Sequence, residues 1–276
     1  MRLLFFIFMK RNIFIPLILC AILCSFSSCL TLKGNDGTPR DLMVRQKKSN
    51  SVVIDHTNYT LSYNKKYLVP NWVSWQLTKD EATTQTVKRK DKFQGDPMVE
   101  ETYRAENYDY SGELNHTDVK LSRGHMAPFA DMRFDETAAE ECFLLSNICP
   151  QSATLNAGDW GTLETICREK WAINEDGIFI VCGPIFRSKH PTTIGKKHKV
   201  AVPDAFFKVV LSTKEGKEKA VGFIFENNDE KQPYPQAVRS VDEMEKITGY
   251  DFFYWLPNKT ERKIEKKTDL SEWNGD

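Results

Sequence analysis

The sequence predicts an α+β fold, and three observations carry that prediction. Short apolar runs rich in Val, Ile and Phe recur along the chain, two segments carry helical spacing, and the two kinds are interspersed without regular strand–helix–strand alternation. The run "GIFIVCG" at 177–183 is bounded by glycines and fits a buried strand. "FFKVVLST" at 206–213 and "KAVGFIFEN" at 219–227 flank "KEGKE", which predicts a hairpin with a glycine turn. "CFLLSNI" at 142–148 is a further apolar segment, stopped by Pro150. From Leu155 to about Ile173 there is no proline, and Leu163, Ile166 and Cys167 fall at helical spacing, so one helix is expected there. A second is expected after Ser240, which forms a capping-box spacing with Glu243. Val241, Met244 and Ile247 recur every three residues, and Gly249 is placed to end that helix.

The ends of the chain read differently from its middle. Residues 1–28 hold three basic residues, no acid and a long apolar run, the pattern of a secretory signal peptide. The run is short for a membrane span and contains Pro16, and Met9 gives a more usual signal start than Met1. Ser27-Ser28-Cys29 resembles the cleavage box of bacterial lipoproteins, which predicts an exported protein, lipid-anchored at the cell envelope through Cys29. A plain secreted protein or a retained anchor is the alternative. Residues 29–54 are polar with Gly, Asp and Pro and read as a tether, residues 55–262 as one folded domain, and residues 263–276 as a charged, solvated tail. The whole chain carries 38 basic and 38 acidic residues and is 41% hydrophobic, enough for a substantial core. Loss of Arg2, Lys10 and Arg11 with the signal leaves the remainder slightly acidic. That argues against a non-specific basic coat for nucleic acid, while a local positive cleft stays open.

Beyond Cys29 there are four cysteines, Cys142, Cys149, Cys167 and Cys182, with no zinc-type spacing. They form either up to two disulfides or buried free thiols. Of five histidines, His56, His116, His190 and His198 read as ordinary polar residues, the last two in a basic loop-like stretch. His125 stands apart. It lies in "LSRGHMAPFADM" at 121–132, directly after Arg-Gly, in a run with little periodicity of either kind.

About twenty residues further on, Ser146-Asn147, Pro150-Gln151, Asn156, Trp160 and Glu164 follow Arg123-Gly124-His125 in order. This pattern resembles the DNA/RNA non-specific endonuclease family, and "PNWVSWQL", "CGPIF", "VAVPDAFFKVVL" and "EKITGYDFFYWLP" extend the likeness over roughly residues 55–260. The resemblance implies a central antiparallel sheet flanked by helices, with a ββα-metal nuclease site. It implies His125 as general base, Asn156 as the direct Mg²⁺ ligand and Glu164 as a ligand through water, with Mn²⁺ an alternative ion. Arg123 and Arg168 would bind phosphate, Asn147 would shape the site, Trp160 would pack in the core, and Gly124 would allow an unusual backbone conformation. One departure is Ser122, where the family usually carries an acid.

The residue types suit the chemistry. A neutral histidine can take a proton from water, and a hard divalent ion prefers oxygen donors while keeping several waters, so one amide oxygen suffices as a direct ligand. The expected partners are DNA and RNA substrates and, through Cys29, a membrane; the oligomeric state is not encoded in any of these signals. A non-catalytic nucleic-acid-binding lipoprotein and a phosphodiesterase for smaller substrates are the competing readings.

Overall fold

The computed structural model describes residues 43–46, 51–112, 114 and 118–274. The signal, most of the tether, Cys29 and His116 lie outside the described residues. The strands are β1 (Val44–Gln46), β2 (Ser51–Asp55), β3 (Thr60–Asn64), β4 (Val69–Leu77), β5 (Leu121–His125), β6 (Ile148–Ser152) and β7 (Ile178–Ile185). They continue with β8 (Thr193–Ile194), β9 (Val200–Ala201), β10 (Ala205–Ser212), β11 (Lys219–Glu226), β12 (Val238–Arg239) and β13 (Tyr250–Phe252).

Seven of these form an antiparallel sheet in the order β12-β11-β10-β7-β4-β3-β2. Its central strand β7 reads as an unbroken apolar run because both faces are covered. Along β7, Ile178, Ile180 and Cys182 enter one core while Phe179, Val181 and Ile185 enter the other, as strand side chains alternate. β10 does the same with Phe206 and Val210 against Phe207, Val209 and Leu211. The expected hairpin joins β10 to β11, and its Gly216 sits at φ +72°, the left-handed region that favours glycine. The expected helix after Ser240 spans Val241–Thr248; Ser240 Oγ accepts from Glu243 N at 3.2 Å, and Gly249 ends it at φ +72°.

Four sequence expectations are corrected. The tether joins the fold earlier than residue 55: β1 pairs with β13 and β2 with β3, because Val44 and Ile54 are buried. The charged tail is not a solvated end, since Trp273 is 2% exposed and packs tilted against Trp171, ring centroids 4.7 Å apart. Lys219 reinforces it by donating to the Glu272 carbonyl. His56 is a buried residue, its Nε2 3.0 Å from Asp96 Oδ2. The helix expected from Leu155 to Ile173 is broken into Ala153–Ala157, Asp159–Ile166, a π-type turn Cys167–Trp171, and Ala172–Asn174. The four cysteines are buried free thiols.

Candidate active site

β5 and β6 form a separate two-stranded antiparallel pair, with His125 opposite Ile148, Gly124 opposite Cys149 and Ser122 opposite Gln151. The chain leaves β6 straight into helix Ala153–Ala157, started by Ser152, whose Oγ accepts from Leu155 N at 3.2 Å. Strand, strand and helix thus place Arg123, His125 and Asn156 in one unit. Gly124 is required for space, not for an unusual φ. A Cβ there would lie 2.2 Å from Gln151 Oε1, and the residue is not among the positive-φ glycines.

His125 is 8% exposed and packed between aromatic rings, edge-on to Phe143 at 5.0 Å and tilted against Phe93 at 5.4 Å. Burial, helped by the charge of Arg89, pushes its imidazole down to about 3, so the ring is neutral at physiological pH. Its Nε2 is buried without a hydrogen-bond partner. Asn147 fixes the chain that follows. Its Oδ1 accepts from Ala127 N at 2.9 Å, and its Nδ2 donates to the carbonyls of Ala127 and Cys142, both at 2.9 Å. Fully buried, it clamps the turn after His125 and does not face a ligand.

Ser122 links the strand to the helix. Its hydroxyl donates to the Gln151 carbonyl at 3.1 Å and accepts from Asn156 Nδ2 at 3.1 Å. With its NH₂ group so engaged, Asn156 turns its amide oxygen away from Ser122, and no hydrogen bond engages that oxygen among the described residues. This donor suits a hard cation. Glu164 lies beyond a break at Gly158 (φ −98°, ψ −112°), where a Cβ would come within 2.6 Å of the Thr154 carbonyl. Asn156 and Glu164 therefore sit on two short helices, not eight residues apart on a continuous one. Burial pushes Glu164 up to about 7, against the pull of Lys208. A cation nearby would draw it back toward the ionised form, so the donor set fits a divalent ion.

The two sequence-predicted arginines differ in setting. Arg123 lies over the Phe93 ring at 5.1 Å and donates from Nη2 to Asn107 Oδ1 at 2.8 Å, at the rim of the site. Arg168 is 7% exposed in the π-type turn and donates from Nη1 to Asp131 Oδ1 at 3.0 Å. Asp131 also accepts from Trp75 Nε1 at 3.2 Å, which ties Arg168 into the core. Trp160 is a core residue, packed on Phe206 at 5.7 Å.

Two further residues were not singled out from sequence. Exposed Arg89 lies 5.4 Å from the Phe143 ring and 5.7 Å from that of Phe129, beside His125; its sequence signal is the basic run "KRKDK". Lys208, 1% exposed, places Nζ 4.2 Å over the Trp160 ring. Its signal is a lone charge inside the apolar run "FFKVV".

The sequence matches the profile of the DNA/RNA non-specific endonuclease family over residues 40–259. The chain belongs to that family. Among its relatives, human mitochondrial nuclease EXOG is 33% identical over 81% of this chain and 64% of its own length. A nuclease of a Nostoc strain is 30% identical over 84% of each chain. EndoG, solved in complex with EndoGI, superimposes with a TM-score of 0.68 and 26% identity, over 75% of this chain and 88% of that one. The chain spans 47% to 64% of the length of the vertebrate EXOG proteins it matches. The endonuclease family is metal-dependent, in keeping with the unengaged Asn156 oxygen.

Proposed function

We propose that the chain is an exported, Mg²⁺-dependent endonuclease that hydrolyses DNA and RNA with little sequence preference, anchored at the bacterial cell envelope through a lipidated Cys29. The observation that carries the activity is the pairing, across Ser122, of a strand bearing a neutral, unpartnered His125 with an Asn156 whose amide oxygen is left unengaged. In this reading His125 takes the proton of the attacking water as the new P–O bond forms and the bond to the departing 3′ oxygen breaks. Arg123 and Arg89 hold the phosphate. Asn156 would hold the ion directly and Glu164 through water; when bound, Mg²⁺ offsets charge on the phosphate and the leaving oxygen. Arg168, committed to Asp131, steadies the helix that carries Glu164.

The test uses a soluble form that starts ahead of β1, near residue 40, incubated with plasmid DNA and with RNA, in Mg²⁺ or EDTA. His125→Ala is expected to lose activity by about 10²–10⁴-fold with its fold intact. Mg²⁺-dependent cleavage no greater than that of the variant would favour a binding protein without turnover. The anchor is tested separately. Cys29→Ser in the full chain is expected to move the protein out of the membrane fraction, because acyl chains and not a helix hold it. Retention of the variant in the membrane would refute lipidation at Cys29.

A further inference from the structure

Away from the nuclease site, three carboxylates converge where helix Val241–Thr248 meets the end of helix Asn258–Ile264. Asp242 and Glu245, three apart, share one face of the first helix, and Glu265 caps the second. One oxygen from each lies within 4.8 Å of the other two. Among the described residues, no lysine or arginine forms an ion pair with any of the three. Arg45 is engaged with Asp251 at 3.2 Å, and Arg239 with Glu243 at 3.4 Å.

A cluster of acids alone is common on protein surfaces. This one differs in a single atom: Glu265 is 5% exposed, and its Oε1 is buried with no hydrogen-bond partner. An orphaned buried oxygen among like charges carries a large desolvation cost unless something positive meets it. Its position adds to that cost, because the end of a helix presents partial negative charge. Backbone contacts hold the arrangement in place. Asp242 N donates to the Glu265 carbonyl at 3.2 Å, and Phe252 N donates to Glu245 Oε1 at 2.8 Å.

We propose that Asp242, Glu245 and Glu265 form a binding site for a divalent cation of the Ca²⁺ class, distinct from the nuclease site. Hard oxygen donors select a hard ion, and two oxygens sharing Ca²⁺ at about 2.4 Å each stand at most roughly 4.8 Å apart. Mg²⁺ demands near-ideal octahedral geometry and gives up its waters reluctantly, so it suits a site of three protein carboxylates less well. Asp242 and Glu245 are half-buried, which leaves the ion a route from solvent and room for the waters that complete its shell. Without an ion, burial and the charges of Glu245, Glu261, Asp242 and Asp251 push Glu265 up to about 8, so protonation is the competing way to relieve the cluster.

The experiment separates these. Asn156→Ala removes the direct ligand of the nuclease site and serves as the background, with thermal unfolding and calorimetric titration as readouts. Millimolar CaCl₂ is expected to raise the midpoint by about 5 °C over EDTA, with one ion bound per chain. Adding Glu265→Gln, or separately Asp242→Asn, is expected to abolish both effects. The Gln variant should be about as stable as its background in EDTA at neutral pH, since Glu265 is then mostly protonated and glutamine matches that uncharged form. No Ca²⁺ shift in the background, or an equal shift with Glu265→Gln, would overturn the site. Because activity is not read, the outcome is independent of the nuclease proposal.

Discussion

At the scale of single residues, Ser122 carries the most specific consequence. Where the family usually has an acid, a hydroxyl here both donates to the Gln151 carbonyl and accepts from the Asn156 amide. The hydroxyl carries no charge, and it ties the asparagine to the strand. Ser122→Ala is expected to free the Asn156 side chain to rotate, lowering activity by roughly 10–100-fold, as for other groups that orient a metal ligand. Part of that loss should be recovered at high Mg²⁺, because the defect lies in holding the ion. Rates measured across a Mg²⁺ titration check this; an unchanged half-saturation point would assign Ser122 no part in orienting Asn156.

At the scale of elements, the sequence was informative wherever one local pattern decided the outcome. The hairpin of β10 and β11 and the capped helix after Ser240 were legible because turn glycine, cap serine and apolar spacing agree. The break at Gly158 was not, because glycine within an apolar pattern does not reveal whether it stops a helix or only weakens it. Nor was the anchoring of the C-terminal segment, where one tryptophan amid charged residues outweighs composition. Trp273→Ala should cost about 3–5 kcal/mol in urea unfolding, since its ring is buried against Trp171. Stability unchanged by that substitution would mean the tail contributes little to the fold. For the site, motif order singled out Arg123, His125 and Asn156, which one strand–strand–helix unit carries, but not that Asn147 would be spent on the turn at Ala127 or Arg168 on Asp131. Those assignments depend on long-range partners that no local spacing displays.

At the scale of the whole molecule, the sheet separates two cores, and a buried polar bond far along the chain holds part of the nuclease face. Asp96 is 1% exposed, bonded to His56 Nε2 at 3.0 Å and to Ser146 Oγ at 2.5 Å, one residue before Asn147. Burial raises its carboxyl, but the bonds to His56 and Ser146 outweigh that and leave it below its ordinary value. A group whose folded pKa is depressed adds stability above its unfolded pKa of about 3.9 and loses it as pH falls through the folded value. Asp96→Asn should therefore cost about 1.5–3 kcal/mol at pH 7, and the gap to the parent should close as pH falls below about 4. Denaturation midpoints of both proteins at pH 7 and pH 3.5 measure it; a gap that widened with acid would reverse the assigned sign.

Arg123, His125, Asn156 and Glu164 all fall within one uninterrupted stretch from β5 to helix Asp159–Ile166, while Arg89 and Asn107 reach the rim from loops and a short helix that precede it. Of the two arginines proposed to hold the phosphate, Arg123 thus lies within that stretch and Arg89 outside it. Exchanging residues 86–93 between relatives should retune how tightly the polymer is grasped while leaving β5, β6 and the helix after them in place, whereas exchanging 107–111 would also release Arg123 from Asn107. The fold in this respect is a chassis whose front end, at Arg89, is carried on a surface loop.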